Sequence, residues 1–228
     1  MGKKKSKQTG KFIVFEGIDG SGTTTQNRLL TRYLTERNYP VCTTCEPTSG
    51  PVGLLLRLLL SNRLTFPSQT LDNKMLSGGA MALLFAADRL DHIQDLIAPK
   101  LQNGIWVICD RYYLSSYAYQ MGQDSSRLPW LQTINNKALQ PDLIIFVRTD
   151  QAICAERRQL RNPWQQDLYE NNEILTQVAK NYEIAIAMLK QQGVCIETVD
   201  GNLDEQSVFR QVQQLVKSFF HDVVTETV

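Results

Sequence analysis

A glycine-rich loop between a short apolar run and an amphipathic helix is the feature that most restricts what this chain can fold into. Residues 11–16 read K-F-I-V-F-E, which is typical of a buried strand, and apolar side chains recur at helical spacing after Gly22. Between them, residues 17–24 read G-I-D-G-S-G-T-T and match seven of the eight positions of the phosphate-binding motif G-x-x-x-x-G-K-[ST]. Strand, loop and helix in this order predict a cradle of backbone N–H groups for a phosphate.

The unmatched position is Thr23, which stands where the motif carries its lysine. That lysine normally contacts the β- and γ-phosphates, so its loss predicts slow phosphoryl transfer unless another cation reaches the site. The chain could be a nucleotide enzyme with a relocated charge, or a phosphate-binding fold without the chemistry. In both interpretations the phosphates bind the same residues, which are Gly17, Ile18, Asp19, Gly20, Ser21, Gly22, Thr23, Thr24 and Thr25.

The rest of the chain alternates between strand and helix patterns. A helical pattern over 71–101 is interrupted near Asp88. Because parallel strands need crossover connections, which are usually helices, the alternation predicts an α/β fold with a five-stranded parallel sheet and helices on both faces. Ligands of such folds bind beyond the carboxyl ends of the strands. The four strands predicted after the first lie at 41–45, 105–110, 143–147 and 194–199.

Length and charge fit a single domain. The 228 residues suffice for one buried core, and 24 Lys and Arg against 23 Asp and Glu give no electrostatic reason to expect a nucleic acid or a membrane as partner. We expect a disordered basic tail over 1–10 and one domain over 11–228. No apolar stretch reaches the roughly 20 residues of a membrane helix, and five scattered cysteines suit reduced thiols. These features predict a cytoplasmic protein.

Two further segments carry candidate site residues. Phe85 and Arg89 share one face of a predicted helix because they are four residues apart. An aromatic plane beside a guanidinium suits a nucleobase, although a core phenylalanine beside a surface arginine fits the same spacing. Asp110 ends a buried strand at the ligand edge, where a carboxylate needs a cation, and Arg111 can contact a phosphate through two N–H groups.

Taken together, the motifs resemble those of the thymidylate kinase family, in its bacterial type. They occur in the family's order along almost the whole chain: F-E-G-I-D-G-S-G at 15–22, E-P at 46–47, L-L-F-A-A-D-R at 83–89, D-R-Y-Y-L-S-S-Y-A-Y-Q at 110–120, P-D-L at 141–143 and D-L-Y-E at 167–170. One such match would be weak, but six in the same order are specific. The resemblance implies a three-layer P-loop kinase fold with a short lid at about 157–168, and transfer of the γ-phosphoryl group of ATP to dTMP with Mg²⁺, in dTTP biosynthesis.

The resemblance also implies roles for individual residues of the acceptor site. Phe85 would stack on thymine, Arg89 would meet the edge of the base, and Arg111 would hold the dTMP phosphate. Tyr119 would lie near the sugar, where the family disfavours a 2′-hydroxyl group. The residues implied to bind dTMP are Glu46, Pro47, Phe85, Arg89, Arg111, Ser115, Ser116, Tyr119 and Gln120.

On the donor side, the resemblance implies that ATP binds the glycine-rich loop and that lid arginines contact the transferring phosphate. The cations nearest to replace the missing lysine are Arg157, Arg158 and Arg161, and our hypothesis puts Arg161 first, with Arg157 or Arg158 second. The alternative is that these arginines are solvated charges on a helix face. The implied catalytic residues are Asp19, Arg111, Arg157 and Arg161, and Mg²⁺ would be held by Thr24 and Asp110.

Three positions besides Thr23 depart from the family pattern. Cys45 stands where an arginine usually precedes E-P, Arg148 stands where an aspartate commonly follows the fourth strand, and Leu168 replaces an arginine of the lid. Each departure weakens the transfer of the family's roles at that position, most of all around ATP.

Three functions stay open on the sequence alone. They are an active dTMP kinase, a nucleotide-binding protein that has lost phosphoryl transfer, and a kinase for another nucleoside monophosphate. The resemblance also implies a homodimer packed through helices. The apolar run at 54–60 and the helix faces around 75–84 could supply that interface, although burial in the core explains them equally well.

Overall fold

The computed structural model describes residues 10–64, 77–161 and 172–220, with the side chains of Arg161 and Asn172 outside that description. In chain order the elements are β1 (Phe12–Glu16), α1 (Thr23–Thr35), β2 (Val41–Cys45), α2 (Pro51–Leu60), α3 (Gly78–His92), a π-helical turn (Ile93–Ile97), α4 (Ala98–Gln102), β3 (Trp106–Asp110), α5 (Tyr113–Gln120), a 3-10 turn (Ser125–Arg127), α6 (Leu128–Ile134), β4 (Leu143–Arg148), α7 (Gln151–Arg161), α8 (Asn172–Gln191), β5 (Ile196–Asp200) and α9 (Glu205–Phe219).

The five strands form one parallel sheet in the order β2-β3-β1-β4-β5. The predicted five-stranded parallel sheet is therefore confirmed, and the predicted strand limits differ from the observed ones by at most two residues. Phe15 and Cys45 both pair with Asp110, so the carboxyl ends of β1, β2 and β3 lie side by side. The loops that follow these three strands meet at this edge, which is where ligands of parallel sheets bind.

Helices cover both faces of the sheet. Along β1, Phe12 and Val14 pack on the side of α5 and α8, whereas Ile13 and Phe15 pack on the side of α1 and α9. Successive side chains of a strand point to opposite faces, so a strand with both faces covered is apolar along its whole length. The predicted three layers are confirmed.

The interruption predicted in the helical pattern near Asp88 is wrong. Helix α3 continues through Asp88 to His92, and the irregular turn begins at Ile93. Asp88 is buried, and its carboxylate accepts hydrogen bonds from the backbone N–H of Thr48 at 2.8 Å and from its hydroxyl at 2.6 Å. The polar residue breaks the apolar pattern because it binds the loop after β2, and the helix does not end there.

The limits of the described residues bear on three other predictions. Gly10, which was assigned to the basic tail, is buried and donates its N–H to the carbonyl of Leu101 at 2.9 Å, while residues 1–9 lie outside the description. The D-L-Y-E motif at 167–170 and most of the predicted lid also lie outside it. Within the described ranges, no helix combines the length and the apolar character needed to cross a membrane.

Candidate functional site

Two cavities open at the carboxyl edge of the sheet. The first, which we call the Arg89 cavity, has a volume of about 500 Å³. All nine residues predicted to contact the acceptor nucleotide line it, so the structure brings together side chains from three separate segments of the chain, at 46–47, 85–89 and 111–120. Its lining residues are Asp19, Glu46, Pro47, Arg57, Leu60, Ser61, Arg63, Phe85, Arg89, Arg111, Tyr112, Ser115, Ser116, Tyr119 and Gln120.

The second cavity, the loop cavity, has a volume of about 480 Å³ and lies against the glycine-rich loop. Gly17 and Ile18, although predicted to bind phosphate, do not line it: Ile18 is in the hydrophobic core, and the carbonyl of Gly17 accepts a hydrogen bond from Arg111 at 2.8 Å. The residues that line it are Asp19, Gly20, Ser21, Gly22, Thr23, Thr24, Thr25, Gln26, Arg111, Arg157, Arg158, Leu203, Glu205 and Val208.

The loop leaves the start of α1 open to the loop cavity. Gly20 and Gly22 have φ angles of +91° and +99°, which side chains other than glycine rarely adopt. Gly22 is the residue that caps α1, and no side chain hydrogen-bonds there. The first N–H groups of a helix have no partner within the helix, and the helix dipole makes that end positive. The arrangement is suited to an anion such as a phosphate.

Asp19 and Arg111 line both cavities and form an ion pair between them. Arg111 Nη2 lies 2.7 Å from Asp19 Oδ1, and the Tyr119 hydroxyl donates to Asp19 Oδ2 at 2.8 Å. Burial raises the pKa of Tyr119 well above its usual value, and the neighbouring Asp19 carboxylate raises it further, so the hydroxyl keeps the proton that it donates. The two cavities are thus separated by a charged pair whose geometry is fixed.

Thr24 and Asp110, the predicted magnesium ligands, lie next to each other. The Thr24 hydroxyl is 2.5 Å from Asp110 Oδ2, and Asp110 Oδ1 is buried with no hydrogen-bond partner among the described residues. Hydroxyl and carboxylate oxygens suit Mg²⁺, which commonly takes one or two carboxylates and completes its shell with water and substrate phosphates. No group of three or more His, Cys, Asp or Glu side chains that could hold a metal ion occurs in the described ranges. The residues therefore fit this metal.

A buried network fixes Arg89 in its cavity. Its Nε and Nη2 donate to Glu46 Oε2 at 2.9 and 2.7 Å, and Nη2 also donates to Ser116 Oγ at 3.0 Å. Nη1 donates one hydrogen bond to Asn135 Oδ1. Since the side chains of Arg89 and Glu46 are each only 2% exposed, this ion pair is shielded from water and directional.

Sequence reasoning missed two members of this network. Asn135 directly follows α6. His92 ends α3, where its Nδ1 lies 3.1 Å from Glu46 Oε1 and its Nε2 lies 2.7 Å from Thr44 Oγ1. Neither residue belongs to a recognisable motif. Their positions relative to Glu46 depend on how α3 and α6 pack, and the spacing of residues along the chain carries no signal of that.

Arg57 is a further residue that the sequence did not indicate. It lies on α2, within the apolar run at 54–60. Its Nη2 is 3.5 Å from the Cys45 sulfur and also donates to the carbonyl of Pro47. Cys45 occupies the position where an arginine was expected. The structure thus places a guanidinium next to that position from another element.

The arginines of α7 also reach the glycine-rich loop. Arg157 donates to the carbonyls of Ser21 and Leu203, both at 3.3 Å, and Arg158 donates to the carbonyl of Asp19 at 2.7 Å. Arg158 is 9% exposed, so the alternative of a solvated surface charge is wrong for this residue. Arg161 is the last residue of α7, and its side chain lies outside the described residues.

Comparisons with known proteins agree on one family. The family model for thymidylate kinase matches residues 15–212. A probable thymidylate kinase of Staphylothermus marinus is 37% identical over 211 residues, which are 92% of this chain and 96% of the relative. The thymidylate kinase of Caldicellulosiruptor saccharolyticus is 33% identical over 210 residues, 91% of this chain and 96% of the relative.

Other relatives match over a shorter part. The probable thymidylate kinase of Pyrococcus horikoshii is 45% identical over 138 residues, which are 60% of this chain and 64% of the relative. Among solved structures, the thymidylate kinase of Candida albicans has a TM-score of 0.74 to this chain at 26% identity, and the match covers 92% of each chain.

Proposed function

The chain belongs to the thymidylate kinase family, and we propose that it transfers the γ-phosphoryl group of ATP to dTMP, giving dTDP and ADP in dTTP biosynthesis. The observation that carries this proposal is that Asp19 and Arg111 line both cavities. In-line phosphoryl transfer needs two bound phosphates that face each other across positioned charges, and little covalent chemistry from the protein.

The Arg89 cavity is proposed to bind dTMP. Phe85 is half-buried in its wall, one helical turn from Arg89, and can stack on the base. Glu46, Ser116 and Asn135 occupy all but one of the five N–H groups of Arg89. The remaining N–H belongs to Nη1 and has no acceptor within the described ranges. It can donate to a carbonyl of the base, which thymine offers at its edge, but it cannot accept from an amino group.

The loop cavity is proposed to bind the phosphates of ATP. The open start of α1 would contact them through backbone N–H groups, and Thr24 with Asp110 would hold Mg²⁺. The bound ion would neutralise charge on the transferring phosphoryl group. Arg111 would hold the acceptor phosphate on the opposite side, with Asp19 fixing the orientation of its guanidinium.

The charge that replaces the missing lysine is proposed to come from α7. Arg157 is the better placed of its two described arginines, because its two hydrogen bonds to carbonyls are both 3.3 Å long and a phosphate can replace them. Its Nη1 also lies 4.0 Å from the point that a β-carbon on Gly22 would occupy. Arg161 stays a candidate for the same role, and single alanine variants will distinguish the two.

A second candidate function is a nucleotide-binding protein that no longer transfers phosphate, and Thr23 is the observation that favours it. An assay that couples ADP release to dTMP in the presence of Mg-ATP tests both functions. We expect ADP release that depends on dTMP and disappears in the Arg111→Ala variant. Binding of dTMP and ATP without ADP release would establish the second function instead. Release with dUMP or dGMP alone as acceptor would establish a kinase of another specificity.

We also propose that the protein forms a homodimer, as the family resemblance implies, and that it is cytoplasmic, as its composition indicates. The apolar faces of α2 and α3 support a homodimer, since Leu54 and Leu83 are 56% and 53% exposed.

A further inference from the structure

A buried carboxyl group that the proposed function does not use lies beneath the Asp19 and Arg111 pair. Glu16 is the last residue of β1 and is fully buried. Its Oε1 accepts from the backbone N–H groups of Tyr112 at 2.9 Å and Ser115 at 3.1 Å. Its Oε2 accepts from the hydroxyl of Ser115 at 2.5 Å and lies 3.2 Å from the hydroxyl of Tyr182. These contacts hold the carboxyl group in one position.

Glu16 acts as the cap of helix α5. Tyr112 is the residue at the cap position of this helix and makes no side-chain cap of its own. The N–H groups of Tyr112 and Ser115 belong to the start of the helix, and both are satisfied by a carboxyl oxygen from a different element.

The capped helix starts next to a residue with an unusual backbone conformation. Arg111 has a φ angle of +69°, which non-glycine residues adopt rarely and keep only where surrounding contacts hold them. Its N–H donates to the carbonyl of Phe15 at 2.8 Å, one residue before Glu16. Contacts from the end of β1 therefore fix the chain on both sides of the Arg111 Cα atom.

The side chain of Arg111 depends on the same carboxyl group. Its Nη1 lies 2.8 Å from the carbonyl of Gly17, 3.2 Å from Ser115 Oγ and 3.4 Å from the Tyr182 hydroxyl. The last two groups are the hydroxyls that contact Glu16. A change at Glu16 therefore reaches the guanidinium through its backbone and through its hydrogen-bond partners.

We propose that Glu16 is a positioning residue for Arg111, holding the guanidinium between the two cavities before dTMP binds. This inference rests on the proposed function, in which Arg111 binds the dTMP phosphate. A cation that is already oriented loses less freedom on binding than one that must find its place, so Glu16 contributes to dTMP affinity without contacting dTMP. It is not expected to contribute to ATP affinity. Glu16 makes no hydrogen bond to a residue that lines only the loop cavity.

The Glu16→Gln variant tests this role, since glutamine has the same shape but its Nε2 cannot accept from the Ser115 and Tyr182 hydroxyls. Calorimetric titration of the full chain is expected to show dTMP affinity weakened about tenfold and ATP affinity changed less than about twofold. Asp142→Asn is the matched control, because Asp142 also accepts a backbone N–H of β1, that of Phe12 at 2.8 Å, at the far end of the strand. This control should bind dTMP like the parent chain, and equal weakening in both variants would overturn the inference.

A double-mutant cycle with Arg111→Ala separates the inference from the function on which it rests. If Glu16 acts through Arg111, Glu16→Gln has no further effect on dTMP affinity in the Arg111→Ala background. Parent-like dTMP affinity in Glu16→Gln, with weakened binding in Arg111→Ala, would overturn the inference alone. Parent-like affinity in Arg111→Ala would overturn the assigned role of Arg111 itself. If Glu16→Gln does not fold, Tyr182→Phe replaces it in the cycle. An unchanged dTMP affinity in that variant then counts against the inference.

Discussion

Thr23 fills the lysine position with a nearly buried hydroxyl side chain, 6% exposed, at the first turn of α1. Among the described residues, the positive charges that line the loop cavity belong to Arg111 and to Arg157 and Arg158 of α7. The two arginines of α7 follow Thr23 by more than 130 residues. A guanidinium presents several N–H groups in one plane, so it can bridge two phosphate oxygens where an ammonium acts as a point charge. Under the proposed function, the site would keep a cation at the phosphates and change its geometry.

The Arg157→Ala variant is expected to lower kcat by about 100-fold to 1000-fold while the KM for dTMP stays near that of the parent chain, because the charge acts on the transferring phosphate. The coupled ADP-release assay measures both constants. Arg148→Ala is the control, since Arg148 pairs with Glu183 on the surface and both side chains are more than half exposed. A full loss of turnover in Arg161→Ala, with parent-like turnover in Arg157→Ala, would instead assign the charge to Arg161, as the sequence hypothesis had it.

Glu16 is expected to make stability depend on pH. Burial raises its pKa from the ordinary 4.5 to about 7, although hydrogen bonds from Ser115 and the charge of Arg111 oppose the rise. Between these values the folded chain holds a proton that the unfolded chain has lost, so the free energy of unfolding falls as pH increases from about 4.5 to about 7. The contribution of this one group amounts to about 3 kcal/mol across that window.

Urea unfolding of the parent and Glu16→Gln chains at several pH values measures this contribution. The variant should show a shallower decline of the free energy of unfolding over the window, because glutamine does not titrate. An identical pH dependence in the two chains would show that Glu16 is ionised in the folded state throughout.

At the scale of elements, helix α3 joins the wall of the Arg89 cavity to the loop after β2. Its buried face presents Asp88 to Thr48, Arg89 to Glu46 and His92 to Thr44, so each contact crosses to the end of β2 or the loop behind it. Charged and polar residues on a helix usually face water, and these three instead satisfy buried partners on one neighbouring segment.

The Asp88→Ala variant is expected to lose about 1–3 kcal/mol of stability, because it leaves the Thr48 N–H and hydroxyl without their acceptor. Thermal or urea unfolding measures the loss, and dTMP affinity should weaken with it, since Pro47 next to Thr48 lines the Arg89 cavity. Asp91→Ala changes an exposed aspartate on the same helix and should shift stability by less than about 0.5 kcal/mol. Equal stability in the two variants would contradict the bridging role of Asp88.

These contacts also show what the sequence could and could not predict. The strands, the glycine-rich loop and the shared face of Phe85 and Arg89 follow from local periodicity, and the structure has them where they were expected. The continuity of α3 through Asp88 was missed because its cause is a partner 40 residues away. Asn135 and His92 were missed for the same reason. The spacing of apolar residues along the sequence indicates which face of an element is apolar. The partner of a buried polar residue depends on tertiary packing instead.

At the scale of the whole molecule, strand order is what assembles the site. Because β1 lies between β3 and β4, the loop after β1 meets the residues that follow β3, and Asp19 pairs with Arg111 across 92 positions of sequence. The motifs predicted both residues, and the parallel sheet predicted a common edge. The sequence did not predict that β3 is the neighbour of β1, and this adjacency places one ion pair in the walls of both cavities.

Some apolar residues of α2 and α3 are buried and others are exposed, and only the exposed ones could form a homodimer interface. Leu56 and Leu59 of α2 are buried together with Met81 of α3, as a core interpretation requires. Leu54 and Leu83 are more than half exposed, as an interface requires. The core interpretation therefore holds for the buried residues, and the homodimer stays a proposal that the exposed ones support.

The Leu83→Glu variant is expected to prevent homodimer formation, because it places a charge among the exposed apolar residues of α2 and α3, which include Leu54, Leu83 and Leu90. Sedimentation velocity over a range of concentrations should show the parent chain at twice the mass of the variant, with dTMP binding retained. Ile184→Glu is the matched control, since Ile184 is 43% exposed on a different helix, α8. This control should sediment like the parent chain. A Leu83→Glu variant that stays dimeric, or a parent chain that is monomeric at every concentration, would contradict an interface on this face.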